Sequence, residues 1–415
     1  MMKLYKLLNA LWSLTNRENR KYFTFALREY MDGVKQSQLL STTSGSPYKV
    51  ESQHSGINPR ILLVVPEFSR TGVPYAVLYL AQALYTLHGV KPAIIASKDG
   101  PLREVFEQEG FHTIVDHLLF SYRNFSSEAC DFIASFDRVI VTSIVSVNFI
   151  RYFRGIGNRL TWWIHETDAG FSVAANMNFD LPLMFAACET IWLGSPLCLP
   201  FALRYASQDK LHLLLYGCPD TALPHRPQKT GKIVFSIIGT VEHRKGQDVF
   251  VDAIERLPGE LRHKAIFRII GSPIPSDTGL AFYKKMCAKA ARIPEAECIK
   301  NMPFDELQEF YTEANVFVCA SRDDPMPIVI TQGLMYSRVC LCSSAIGHAQ
   351  LLADKKDGLI FTNDSAEALS EKMAWILQNP GELAALGIAG RAVYEKYFLM
   401  SSFVKNVGDL IQDGR

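Results

Sequence analysis

The chain has almost no net charge, a formal +1 over 415 residues. A balanced surface offers no bulk field to gather nucleic acid, so none is expected as a partner. Long apolar runs are missing too: no stretch approaches the roughly 20 residues of a membrane-spanning helix. The nine cysteines show neither a CxxC pair nor metal-ligand spacing. Cys319, Cys340 and Cys342 fall in apolar runs and read as small buried hydrophobes in a reducing compartment, not as a disulfide framework. There is no HExxH, which argues against zinc, and no GxGxxG dinucleotide fingerprint. The N-terminal apolar stretch is interrupted at Asn9 with no small-residue cleavage site after it, so a signal peptide is not expected. These absences together point to the cytoplasm.

Apolar residues make up 48%, enough for full cores, and the length suits two domains. The stretch that organises the chain is Val316 to Ser343. Val316 to Cys319 reads as a short buried strand, and Ser321-Arg322-Asp323-Asp324 as a polar loop. Pro325 and Pro327 set the entry to a nearly all-apolar helix, Ile328 to Tyr336, since proline is tolerated at a helix start. Val339 to Cys342 is a second buried strand. A polar loop feeding a buried helix N-terminus makes an anion site, with free N–H groups and the positive dipole end toward the loop. Met326, Pro327 and Ile328 stand at that helix start, Asp324 in the loop, and Gln332 eight positions later inside the helix. Asp324 could instead be a helix cap and Gln332 a core amide bonded to backbone.

This segment resembles the signature of retaining GT-B glycosyltransferases of family 4 (glycosyl transferases group 1): a glutamate, seven residues, then a second glutamate, around a proline and a small-residue helix. Asp324 and Gln332 occupy the two glutamate positions. The resemblance implies that Asp324 touches the donor sugar and Gln332 the nucleotide ribose. It runs from about Arg60 to the C-terminus. Asp323-Asp324 are adjacent and precede a helix, which suits capping better than a DxD metal site, and the family normally uses no metal.

Before Arg60 the chain differs. Leu4, Leu7, Leu8, Leu11 and Leu14 repeat at helical spacing among Lys3, Lys6, Arg17, Arg20 and Lys21. Residues 1–37 read as a helix packed on the catalytic body or a partner, or as an interfacial helix on an anionic membrane. The stretch from Gln38 to Pro59 is polar and serine-rich and reads as a linker.

Arg60 to Val65 is a first strand ending at Pro66, followed by a small-residue loop and a helix carrying Ala76, Leu80, Ala83 and Leu87 on one face. That is the opening of a Rossmann-like unit. The resemblance implies a loop here that approaches the donor phosphates and the acceptor, with Thr71 and Gly72 as candidates for close backbone approach; the alternative is a plain turn. Strands at Pro92–Ala96, Arg138–Thr142, Leu160–Ile164 and Thr190–Leu193 alternate with helices, which argues for a parallel sheet. His165 and Glu166 end one strand, where such sheets bind ligands. His165 could bond a substrate hydroxyl or phosphate on the acceptor side with Glu166 orienting it, or the pair could simply close the strand.

The linker between domains is placed after Tyr216-Gly217, between Leu223 and Lys232. Ile233 to Ile238 opens the second domain, followed by Gly239, Thr240, Arg244, Lys245 and Gly246. The resemblance implies that Lys245, with Arg244 beside it, binds the donor diphosphate. Preorganised cations stabilise the charge that gathers on a departing diphosphate, although a solvated loop would have the same composition. Ala345-Ile346-Gly347-His348 stand where the family the chain resembles has a glycine-rich turn near the sugar site, so the resemblance makes Gly347 and His348 candidates there.

The expectation is therefore an α/β chain of GT-B fold, two Rossmann-like domains facing a central cleft. Residues 1–58 are the helical extension and linker, 59–228 the acceptor-side domain, and 229–397 the nucleotide-sugar domain. Residues 398–415 form a helix returning to the first. The function implied is sugar transfer, with retained configuration, from a nucleotide sugar to a glycan or lipid-linked acceptor, in cell-surface polysaccharide synthesis. No cofactor is implied, and the protein would be cytoplasmic, either free or peripheral on the inner membrane face. A nucleotide-sugar epimerase and a non-catalytic scaffold in a glycan assembly complex are the alternatives.

Overall fold

The computed structural model describes residues 48, 60–120, 125–155, 159–176, 179–227, 231–300 and 304–413. The leucine-patterned segment 1–37, and with it the membrane and packing readings, lies outside the described residues. The chain divides into two compact units. The first comprises residues up to Gly194, Cys198–Leu214 and Val404–Arg415; the second comprises Ser195–Leu197 and Leu215–Phe403.

The first unit is built on seven parallel strands: β1 (Ile61–Glu67), β2 (Ala93–Lys98), β3 (His112–Val115), β4 (Arg138–Thr142), β5 (Arg159–Ile164), β6 (Thr190–Leu193) and β7 (Leu211–Leu213). Their order is β3-β2-β1-β4-β5-β6-β7. In β1 the residues Ile61 to Val65 are all buried, and so are all five of β4. Strands covered on both faces need such continuous apolar runs, which is why they were visible in the sequence. The helix Gly72–His88 follows β1 and ends at Gly89, whose φ of 67° is the left-handed turn that closes a helix. One core under the sheet gathers Trp162, Phe149, Phe153 and Phe185.

The second unit repeats the design with six parallel strands: β8 (Ile233–Ile238), β9 (Ala265–Ile270), β10 (Ala296–Ile299), β11 (Val316–Cys319), β12 (Val339–Ser343) and β13 (Leu359–Phe361). Their order is β10-β9-β8-β11-β12-β13. In both sheets the order reverses beside the first strand, at β1/β4 and at β8/β11. Such a switch point leaves a crevice at the carboxyl ends of two neighbouring strands, the usual ligand position in parallel sheets.

The sequence boundary at residue 228 and the structural division differ by a short segment, and the reason is visible. Residues after Leu214 are tied into the second unit. The Tyr394 hydroxyl donates to the Cys218 carbonyl at 2.7 Å. Tyr216 shares a hydrogen bond of 2.6 Å with Thr331, and Arg391 holds the Asp220 carboxylate. The helix Met400–Asp413 begins in the second unit and continues in the first, where Gly408 lies against Leu87.

Candidate functional site

The β8/β11 switch point brings together residues 79 positions apart. The loop after β8 supplies Arg244 and Lys245; the loop after β11 supplies Asp324. Lys245 Nζ donates directly to Asp324 Oδ2, and Arg244 Nη1 stands 3.7 Å from the same oxygen. The carboxylate side chain is only 9% exposed, against 24% for the lysine and 43% for the arginine. Arg244 is also bound on both sides, to Glu242 at 2.8 Å and to the Asp323 carbonyl at 2.9 Å.

The loop that carries these cations is set by its neighbours. Gly246 has a φ of 70°, and a Cβ there would meet the Ala320 carbonyl oxygen at 2.0 Å, so only glycine fits. Buried Gln247 donates to the Thr240 carbonyl at 2.9 Å. Arg322 was not singled out in the sequence, and it is the main brace. Its amide donates to the Arg244 carbonyl at 2.8 Å. Its guanidinium binds both oxygens of Asp248, each at 3.0 Å, together with the His243 carbonyl and Asp364. A forked pair of this kind fixes direction as well as distance. With its donors occupied, Arg322 acts on the loop rather than on a ligand.

The helix Ile328–Met335 begins where expected and ends one residue earlier, with Tyr336 as its C-cap. Pro327 is its cap, in extended conformation, rather than its first turn, and no side chain closes the end. Asp324 is therefore not the helix cap; its carboxylate goes to Lys245. At the helix start the Ile330 amide donates back to the Pro327 carbonyl at 3.1 Å, and the first-turn N–H groups before it fall outside the helical ladder, which leaves an anion-favouring end. Met326 and Pro327 are buried and shape this turn, while Ile328 is half-buried. Gly347 fixes it from the far side: its amide donates to the Asp324 carbonyl at 3.1 Å, and a Cβ would meet the Pro325 carbonyl oxygen at 1.8 Å. Within the helix, Gln332 is half-buried and its Oε1 accepts from the Tyr311 hydroxyl at 2.6 Å. Tyr311 is itself stacked on Phe317, and burial raises its pKa. Gln332 is thus held by a side chain and not by backbone.

Two residues beside the site take other roles. His348 is fully buried, shares a 2.8 Å bond with Thr331 through Nε2, and lies flat on Phe398. Burial lowers its pKa to about 3, so it is a neutral core histidine. Thr240 is exposed in the loop; Gly239, with φ of 148°, takes a backbone angle that other residues rarely adopt.

In the first unit His165 and Glu166 stand at the end of β5, as expected, but Glu166 does not orient the imidazole. Its carboxylate accepts from the Ser143 hydroxyl, from the Ile144 amide at 2.9 Å and from the His165 amide at 3.0 Å. It anchors the turn after β4, where Ser143 has a φ of 70°. Burial raises the Glu166 pKa, opposed by these hydrogen bonds. The His165 ring packs on Trp163 at 4.4 Å and against Gly194, and burial lowers its pKa to about 3. Its Nε2 is buried with no hydrogen-bond partner among the described residues. That nitrogen keeps an unused hydrogen-bonding capacity, although it is buried away from the surface. Thr71 caps the helix Gly72–His88 in extended conformation without a side-chain bond to it, its hydroxyl instead meeting Ser69 at 2.8 Å. Thr71 and Gly72 are both exposed.

Two parallel units of this order, the second with an anion-favouring switch point, define the fold as GT-B. Residues 221–393 match the family model described as glycosyl transferases group 1. An uncharacterized glycosyltransferase of Methanocaldococcus jannaschii is 22% identical over 162 residues, covering 39% of this chain and 42% of that protein. A GDP-mannose-dependent alpha-(1-6)-phosphatidylinositol monomannoside mannosyltransferase of Mycolicibacterium smegmatis is 23% identical over 156 residues, 36% of this chain and 39% of that protein. The chain's matches thus span about two fifths of the length of these relatives. Among solved structures, Anabaena HepE in complex with UDP and glucose superposes with a TM-score of 0.69 at 12% identity, covering 85% of this chain and 99% of that one. Sucrose-phosphate synthase from Thermosynechococcus elongatus gives 0.67 at 16% identity, with 86% and 98% covered. Likeness at these identities establishes the fold.

Proposed function

We propose that the protein is a retaining glycosyltransferase of family 4 that moves a sugar from a nucleotide donor to a glycan or lipid-linked acceptor in cell-surface polysaccharide synthesis. The observation that carries this reading is Lys245 and Asp324 meeting at the β8/β11 switch point, beside an uncapped helix start. The group 1 match over the same unit supports it. Lys245, with Arg244, and the helix start would receive the diphosphate; Asp324, an acceptor of hydrogen bonds, would take sugar hydroxyls; Gln332 would hold the ribose. His165 we assign to the acceptor side, as a neutral hydrogen-bonding group.

In the reaction, the bond from the sugar's anomeric carbon to the diphosphate oxygen breaks and a bond to the acceptor oxygen forms on the same face. The acceptor proton passes to the departing phosphate. Negative charge grows on the diphosphate as its bond to the sugar breaks, so Lys245 contributes most in the transition state. The route we propose asks for no metal. Lys245→Ala should cut turnover by roughly 100-fold or more. Initial rates with a donor found by a thermal-shift screen of UDP- and GDP-sugars test this. Parental turnover and donor affinity in the variant would remove the assignment. The leucine spacing and lysines of residues 1–37 support peripheral contact with an anionic membrane; sedimentation with anionic vesicles at low salt tests that part separately.

A further inference from the structure

Lys245 and Asp324 are the two groups that the proposed donor site needs for opposite ends of its ligand, and in this structure they bind each other. We propose that this pair is a latch that lets the site discriminate a sugar-loaded nucleotide from a free nucleoside diphosphate; the inference rests on the donor-site reading above.

The argument follows from burial and partners. Asp324 is the most buried member of its charge group, and among the described residues its carboxylate has only Lys245 in hydrogen-bond contact, with Arg244 Nη1 beyond at 3.7 Å. Arg244 cannot readily replace the lysine, because Glu242 and the Asp323 carbonyl hold its guanidinium. The backbone around Asp324 is pinned by Gly347 and Ala345, so the carboxylate cannot swing out to water by a loop movement alone. A free diphosphate that draws Lys245 away therefore leaves a buried carboxylate without its cation, beside a new anion. Both consequences oppose binding. A sugar nucleotide draws Lys245 in the same way but brings hydroxyls that donate to Asp324, so the carboxylate exchanges one set of donors for another. After transfer the sugar is gone, Asp324 is again without donors, and its recapture of Lys245 loosens the spent nucleotide.

A plain sugar-reading role for Asp324 predicts something different. In that case its charge would matter only to ligands that carry a sugar. The two readings separate on free nucleotide. Asp324→Asn keeps the shape and removes the charge. The experiment is calorimetric titration of the full chain, parent and Asp324→Asn, with UDP and GDP and with UDP-glucose and GDP-mannose, folding being checked by circular dichroism. Asp324→Ser is the second variant should the first not fold.

The latch predicts that the variant binds free UDP or GDP about tenfold more tightly than the parent, the factor given by roughly 1.4 kcal/mol. It also predicts that the preference for the sugar conjugate over the free nucleotide falls by about tenfold or more. Adding Lys245→Met to Asp324→Asn should abolish the gain. Free-nucleotide affinity that is unchanged or weaker in the variant, with weaker binding of the conjugate, would overturn the latch and leave the donor site standing. Absence of binding to every nucleotide in parent and variant alike would overturn the donor site and the latch with it.

Discussion

Gln332 shows how much one side chain can decide. Its Oε1 is committed to the Tyr311 hydroxyl at 2.6 Å, which leaves its amide nitrogen as the group to offer a ligand. A ribose hydroxyl would therefore be met by a donor here. Gln332→Ala should weaken a free nucleoside diphosphate by about 1 to 3 kcal/mol, the cost of a buried polar group losing its partner. The same substitution strands the Tyr311 hydroxyl, so stability should fall as well. Tyr311→Phe separates the two effects: it removes the buried bond while leaving the glutamine amide, and should change nucleotide affinity by less than about 1 kcal/mol. Gln332→Glu keeps an acceptor for Tyr311, so stability should hold, and nucleotide binding should survive only if the ribose hydroxyl turns to donate to the carboxylate. Calorimetric binding beside thermal unfolding checks all three variants. Equal affinity in Gln332→Ala and the parent would make Gln332 a core residue with no part in binding.

At the scale of elements, the loop after β8 is held by contacts the sequence could not display. The strands β4, β6 and β8 were legible to the residue, since each is a short apolar run covered on both faces. The strands β3, β7, β10 and β13 were not. Each is three or four residues long and all four form sheet edges, and in three of them His112, His212 or Glu297 breaks the apolar pattern. Lys245 and Asp324 could be picked out by their resemblance to a known signature, but their direct pairing could not, because 79 residues separate them. Arg322 was hidden for a related reason. An arginine in a loop after a strand looks like a ligand cation; only the fold brings Asp248 and Asp364 to it from 74 and 42 positions away. Breaking that brace should tell. Arg322→Gln should raise the donor's KM several-fold more than it lowers kcat, since the cations remain but their loop is no longer fixed. Gly246→Ala should be worse, because φ near 70° strains any side chain by about 1 to 3 kcal/mol before its contact with Ala320 is counted. A Gly246→Ala protein with parental stability and donor affinity would contradict the geometry of the turn.

Across the whole molecule, each unit contains a histidine held neutral by burial, His165 in the first and His348 in the second, both with pKa lowered to about 3. The sign of the consequence is fixed. Unfolded, each would titrate near 6.5; folded, each resists protonation. Between those two values the unfolded chain binds more protons, so stability is full above pH 6.5 and declines as pH falls toward 3. The slope is at most about 1.4 kcal/mol per pH unit for each histidine. Glu166 acts in the opposite sense. Burial raises its pKa above 4.5, so its contribution is present below that value and is lost as pH rises through the folded pKa. The first unit therefore has a partial offset on the acid side that His348 does not share. Unfolding should consequently become easier as pH drops from 7 to 5, before most surface carboxylates are protonated. His348→Gln should flatten that decline even if it lowers stability at pH 7, because it removes the site that takes up the proton while leaving a partner for Thr331. Glu166→Gln should leave the decline between pH 7 and 5 no shallower than in the parent, since the histidines that cause it remain. Denaturant unfolding of the parent and both variants at pH 7, 6 and 5 tests this. A His348→Gln protein that loses stability with acid as steeply as the parent would mean that His348 already carries its proton in the folded chain.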